Sequence, residues 1–338
     1  MAARGARLVL AVLATLLLAA GTGCDSGRGS ASSVQTSPAP DASVAGPPAT
    51  TGSTAATNPP ATSANVWSST IDPTAVPLGD GKVSTTPHVG YLDTCTTAFP
   101  GGGASHSGDW IDTAAGTWNM AAKVAVQGAV HWPAADHTET DSDNTRTLHT
   151  NGLPVEFTTG IFPIRSEDPA YRYDPNPNHI GTQDITFGLP LDPTEAAMPS
   201  CTRLGPIGLL DSGVLLYSAV DDAGRDAVAH ETQDSCDGHP DGQDRYHDHS
   251  IPACLLDRAT GRSTLVGYAL DGYGIYVERD QAGNLPPNAD LDACHGRTSQ
   301  VTWNGQQRTI YHYVATLEYP YTIGCYHGRP TAARFGTR

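Results

Sequence analysis

The apolar residues of this chain come in short runs broken by turn formers, and no window sustains the three-to-four spacing of an amphipathic helix. Lys123–Val126, Gly152–Phe157, Gly213–Tyr217, Leu265–Leu270, Gly274–Val277 and Thr309–Val314 alternate or stay apolar for only four to six positions. Asp80-Gly81, Asn151-Gly152, Asp271-Gly272 and Asn304-Gly305 are dipeptides that favour tight turns and punctuate such runs. The last reads as a hairpin turn leading into the segment that carries His312. With 36 Gly and 26 Pro in 338 residues, the pattern predicts a mainly β fold of packed antiparallel sheets with long Gly/Pro-rich loops. Helix is expected only as short turns, at Leu191–Ala197 and Ala289–Cys294. No repeat of fixed period is visible.

The N-terminal segment changes the picture of where the chain resides. Arg4 and Arg7 precede an apolar run from Leu8 to Ala20, and Gly21-Thr22-Gly23-Cys24 follows. This is the layout of a secretory signal over residues 1–23, too short for a stable membrane span. Cys24 after small residues suggests a lipidation site, although Gly21 stands where Leu is usual; an ordinary secreted chain with an idle Cys24 is the alternative. Residues 24–65 are nearly all Ser, Thr, Ala, Pro and Gly, cannot bury a core, and are expected to form a disordered tether. Residues 66–338 then form a β domain at the outer face of the cell membrane, with the membrane as partner through the lipid anchor.

Charge and cysteines narrow the chemistry. A net charge of −16 without a basic cluster makes nucleic acid a poor partner. Beyond Cys24 six cysteines remain, an even number that in an exported chain argues for a disulfide-stapled domain. Cys236 with Cys254 and Cys294 with Cys325 would bracket the two His-bearing segments, which leaves Cys95 with Cys201. Free thiols or thiolate ligands are the alternative, invited by Cys294-His295 and Cys325-Tyr326-His327.

Tyr246-His247-Asp248-His249 and, about sixty positions later, Tyr311-His312-Tyr313 carry the candidate chemistry. On a strand His247 and His249 share a face. With His312 from a neighbouring strand, or His239 from the preceding loop, they could hold Zn²⁺ or Cu²⁺. A packed polar network of His rings, Tyr hydroxyls and carbonyls is the alternative. Asp271 could act as a general acid or base beside this cluster, or simply cap a turn. His295 and His327 are secondary candidates, and Asp290 with Asp292 a weak calcium pair that lacks the rest of a calcium loop. No Gly-x-Ser-x-Gly elbow, phosphate loop or His-Glu-x-x-His motif is present; His230-Glu231-Thr232-Gln233 is followed by Asp234.

In order and spacing the segments from Cys236-Asp237-Gly238-His239 through Tyr246–His249, Gly267–Tyr276, Cys294-His295-Gly296 and Tyr311–Tyr313 to Cys325-Tyr326-His327-Gly328 resemble the YHYH domain family. Asp248 stands where the family name has Tyr, on the face away from the histidines. The resemblance covers 236–328 and implies an exported bacterial domain, without naming a reaction. Three functions remain open: binding of a metal or small ligand at the His/Tyr cluster, a metal-dependent hydrolase or oxidase using that cluster, or a metal-free envelope interaction module.

Overall fold

Residues 69–336 are described by the computed structural model, so the expected signal segment (1–23), Cys24 and the tether (24–65) lie outside the described residues. The apolar runs become strands, and the chain is mainly β. Eight strands form one sheet: β1 (Pro206–Leu210), β2 (Leu215–Tyr217), β3 (Gly238–Pro240), β4 (Tyr246–Asp248), β5 (Ser263–Ala269), β6 (Gly274–Glu278), β7 (Gly296–Trp303) and β8 (Gln306–Val314). Their spatial order is β3-β4-β2-β1-β5-β6-β8-β7. Neighbours are antiparallel except β2 with β4 and β6 with β8, so this sheet is mixed rather than purely antiparallel. Ile207, Leu209, Leu210, Leu215, Leu216, Ile275 and Val277 are all buried. A sheet covered on both faces explains why these runs are continuously apolar instead of alternating.

A second sheet of four antiparallel strands runs Arg334–Phe335, Ile185–Pro190, Thr145–Thr150, His137–Ser142. Here alternation returns: Ile185, Phe187 and Leu189 are buried, whereas the residues between them are not. The buried Arg146 joins the two sheets. Its guanidinium lies 4.3 Å over the Tyr268 ring and 5.0 Å from the Trp303 ring, and pairs with Glu139 at 2.7 Å.

The large sheet repeats itself. Strands β1–β4 lie in the order β1-β2-β4-β3, and β5–β8 in the order β5-β6-β8-β7, each half with its parallel pair in the middle. The halves meet along β1 and β5, where Leu209 faces Tyr268, with Gly208 opposite Ala269 and Leu210 opposite Gly267 on either side. A Cβ on Gly208 or Gly267 would stand 2.7 or 2.5 Å from a carbonyl oxygen of the facing strand, so both places require glycine. The period drifts, which hides it: Gly208 and Gly267 are 59 positions apart, His247 and His312 are 65. The longer β7–β8 hairpin, turned at Asn304-Gly305 with positive φ at both, accounts for the difference.

Among the described residues helix is confined to single turns, among them α1 (Ala227–His230) and α2 (Ala253–Leu256). The helical turn expected at Leu191–Ala197 is overturned: Glu195–Ser200 is a strand paired with Tyr326–Gly328. At Ala289–Cys294 only a 3-10 turn forms, over Asn288–Asp290. Beyond it the Asp292 carboxylate accepts from the amides of Cys294 and Gly296 at 2.9 and 3.0 Å, which folds the chain into a tight turn instead of helix. Three disulfides staple the fold, Cys95–Cys201, Cys236–Cys254 and Cys294–Cys325, in the pairing expected from the sequence.

Candidate metal centre

Strands β3 and β4 place His239 directly opposite His247 in an antiparallel pair. His249, two positions after His247 and just past the strand, turns to the same face; the three ring centroids lie 4.5, 4.9 and 5.4 Å apart. One ring nitrogen from each can be chosen so that all three lie within 4.8 Å of one another. From β2, Tyr217 stacks on His247 with centroids 3.8 Å apart and planes at 22°. From the end of α1, Glu231 reaches in, its Oε2 3.1 Å from His249 Nε2 and 3.3 Å from His239 Nε2. All three imidazoles and Glu231 are buried, yet they line an open pocket of about 510 Å³ walled also by Asp174, Asp222 and Asp241.

Backbone carbonyls settle where the lone pairs point. His247 Nδ1 faces the Arg245 carbonyl at 3.1 Å, and His249 Nδ1 faces the Ser218 carbonyl at 2.6 Å. A carbonyl only accepts, so both Nδ1 atoms carry protons, and in the neutral rings both Nε2 atoms carry lone pairs. Those two Nε2 atoms confront each other at 3.1 Å. Two lone pairs at that distance repel unless a proton or a metal ion lies between them. His239 adds a buried Nδ1 without a hydrogen-bond partner, and its Nε2 shares the Glu231 Oε2 with His249 Nε2.

Burial, together with the imidazoles of His239 and His249, holds His247 well below the ordinary imidazole range. Burial opposes charge on His249 too, but the Glu231 carboxylate beside it outweighs burial and raises its pKa. Glu231, although burial pushes it up, is carried well below the usual carboxylate range by His239 and His249. A proton on His249 thus occupies the place between lone pairs that a cation would take.

The family model described as YHYH protein matches residues 186–288. The chain carries a YHYH domain. The match begins upstream of the 236–328 segment marked by the motifs and ends short of Tyr311. It takes in every residue of the cluster, including Tyr217 and Glu231. Neither the curated proteins nor the solved structures yield a match to this chain.

Of the sequence candidates, the YHYH domain brings together His239, His247 and His249 and sets the others apart. His312 is the correction. It lies on β8, separated from β4 by four intervening strands, about 24 Å at ~4.8 Å per strand. Its Nε2 meets Glu278 Oε1 at 3.1 Å instead. Asp271 does not face the cluster either. It sits in the β5–β6 turn, accepting from Tyr313 Oη at 2.6 Å and the Gly328 amide at 2.8 Å, and is absent from the pocket walls. His295 is buried against Thr316, His327 stacks on Tyr311 at 3.6 Å, and Asp292 serves its turn. Glu231 and Tyr217 were not legible as site residues. Glu231 follows a single helical turn at no motif spacing, and its neighbour His230 turns away to Asp80 at 2.9 Å.

Proposed function

We propose that this is an extracytoplasmic, lipid-anchored YHYH-domain protein that binds one Zn²⁺ or Cu²⁺ ion through His239, His247 and His249. The observation that carries the reading is the pair of carbonyl-fixed imidazoles whose Nε2 atoms converge beside a third buried imidazole, His239. Carbonyls that lock the far nitrogen of each ring are the outer-shell supports typical of metal ligands, and three neutral imidazoles suit Zn²⁺ or Cu²⁺. Chain purified without a His-tag or added metal is expected to contain one equivalent by elemental analysis. Substitution of His247 and His249 by Ala should abolish it while the chain stays folded. Folded wild type that takes up neither ion after dialysis against it overturns the reading.

The open pocket supports a second reading, a metal-dependent hydrolase. An ion held by His239, His247 and His249 would have room for a water ligand and would supply an activated hydroxide, and Glu231, 3.1 Å from His249 Nε2, would be the carboxylate at hand as general base. Glu231→Gln separates the two: a hydrolase loses turnover of a panel of ester, amide and glycoside substrates while keeping its metal, whereas wild type of a binding protein turns over none.

A further inference from the structure

The two halves of the large sheet match at the level of individual hydrogen bonds. Asp221 takes the amides of Ala223 and Arg225 at 2.9 and 2.8 Å; Asp280 takes those of Ala282 and Asn284, both at 2.8 Å. Asp234 Oδ1 accepts from the Cys236 amide at 2.9 Å and from Tyr246 Oη at 3.0 Å. Asp292 Oδ1 accepts from the Cys294 amide at 2.9 Å and from Tyr311 Oη at 3.1 Å. Each cysteine is disulfide-bonded, and each tyrosine precedes a histidine whose Nδ1 meets a carbonyl two residues back, at 3.1 Å for His247 and 3.0 Å for His312. An aromatic from the neighbouring parallel strand lies beside both: Tyr217 by His247 at 3.8 Å, Tyr276 by His312 at 5.0 Å.

His312 is therefore the counterpart of His247, which is why it could not join it. The other two histidines are replaced. Arg297 faces His312 across β7 and β8 as His239 faces His247 across β3 and β4. Val314 stands two positions after His312, where the first half has His249. A carboxylate is present again, Glu278 at the end of β6. It meets His312 Nε2 through one oxygen and accepts from Arg297 Nε at 2.8 Å, and from the terminal guanidinium nitrogen, through the other. This half also opens to a pocket, of about 540 Å³, lined by Glu278 and Arg297.

We propose that the β5–β8 half contains a second cation site of the same construction, filled by a side chain: the Arg297 guanidinium stands where the first half takes a metal ion, and Arg297→His opens the place to a second ion. The proposal rests on the metal reading of the first half for its chemistry, but its test does not. The imidazole introduced by that substitution would join His312 and Glu278, giving two imidazoles and a carboxylate, a donor set suited to Zn²⁺ or Cu²⁺.

The test is equilibrium dialysis of the full chain against Zn²⁺ or Cu²⁺, followed by elemental analysis. Wild type should hold one equivalent, the His247→Ala/His249→Ala chain none, and that chain with Arg297→His added one again, lost on further change of His312→Ala. A folded triple variant that binds no metal, or keeps its metal without His312, overturns the inference. Wild type without metal beside a metal-binding triple variant would instead overturn the reading of the first site and leave this one standing. Should the triple variant fail to fold, Arg297→His is made alone in the otherwise wild-type chain. It should hold one equivalent more than wild type, and a folded variant that holds no more than wild type overturns the inference.

Discussion

His249 Nδ1 donates to the Ser218 carbonyl at 2.6 Å, so its Nε2 is left either to hold a proton against Glu231 or to give its lone pair to a metal. The two uses exclude each other. Because the His249 pKa is raised, Glu231 outweighing burial, its proton begins to compete above the ordinary imidazole range of about 6.5. The sign follows: affinity is full where His249 is neutral and falls as pH drops through that raised value. Calorimetric titrations of Zn²⁺ in buffers of different ionisation enthalpy should show about one proton released per ion near neutrality. Glu231→Gln removes the carboxylate that holds the proton. Its affinity should vary less with pH between 6 and 8 than that of wild type; an unchanged profile would mean that Glu231 does not govern the site. At this scale the sequence already placed His247 and His249 on one face, because alternation along a strand is local. It could not place Glu231, whose approach depends on how α1 is seated.

At the scale of elements, the β3–β4 hairpin that presents His239 and His247 is held at its root by Asp234. This buried carboxylate accepts from Tyr246 Oη at 3.0 and 2.9 Å and from the Gly160 amide at 2.7 Å. Its counterpart Asp292, which accepts from Tyr311, is solvent-exposed. Tyr246→Phe removes a donor from a buried acceptor and should cost about 1–3 kcal/mol, whereas Tyr311→Phe should cost about 0.5–1 kcal/mol because water takes over at the exposed carboxylate. Urea unfolding of the two variants checks the order, and equal losses would refute it. A Cβ at Gly238 would lie 2.3 Å from the Tyr246 ring and hydroxyl, so the glycine is part of the same anchor. The turns at Asn151-Gly152, Asp271-Gly272 and Asn304-Gly305 were readable because φ > 0 favours those residues. The strand at Glu195–Ser200 was not, since its partner Tyr326–Gly328 lies far along the chain.

For the whole molecule, the disulfides and the proposed metal site can be separated. Cys236–Cys254 spans 18 positions and encloses both β3 and β4, while Cys294–Cys325 spans 31 and encloses the counterpart strands. Chain entropy assigns each a similar value, about 3–4 kcal/mol. Paired Cys→Ser substitution should therefore lower stability comparably in the two cases. Metal affinity should fall at least about tenfold only for Cys236/Cys254, whose loop carries His239, His247 and His249. Urea unfolding combined with Zn²⁺ titration measures both quantities. Equal loss of affinity in the two variants would show that the bridges act on global stability alone.

Three kinds of information were legible in the sequence itself: the mainly β class, the two short cysteine loops Cys236–Cys254 and Cys294–Cys325, and the common face of His247 and His249 with His239 close by. Each depends on neighbours along the chain, on periodicity, turn chemistry or loop closure, whereas Cys95–Cys201, 106 positions apart, followed only by elimination. Tertiary structure alone decided that His312 stands in the other half of the sheet, that Asp271 belongs to a turn, and that Glu231 and Tyr217 complete the pocket. Strand order is set by long-range pairing, and here β4 pairs with β2 and β3 while β8 pairs with β6 and β7. Two Tyr-His segments that look alike in sequence are thereby held on equivalent strands of opposite halves, too far apart for one ion to reach both.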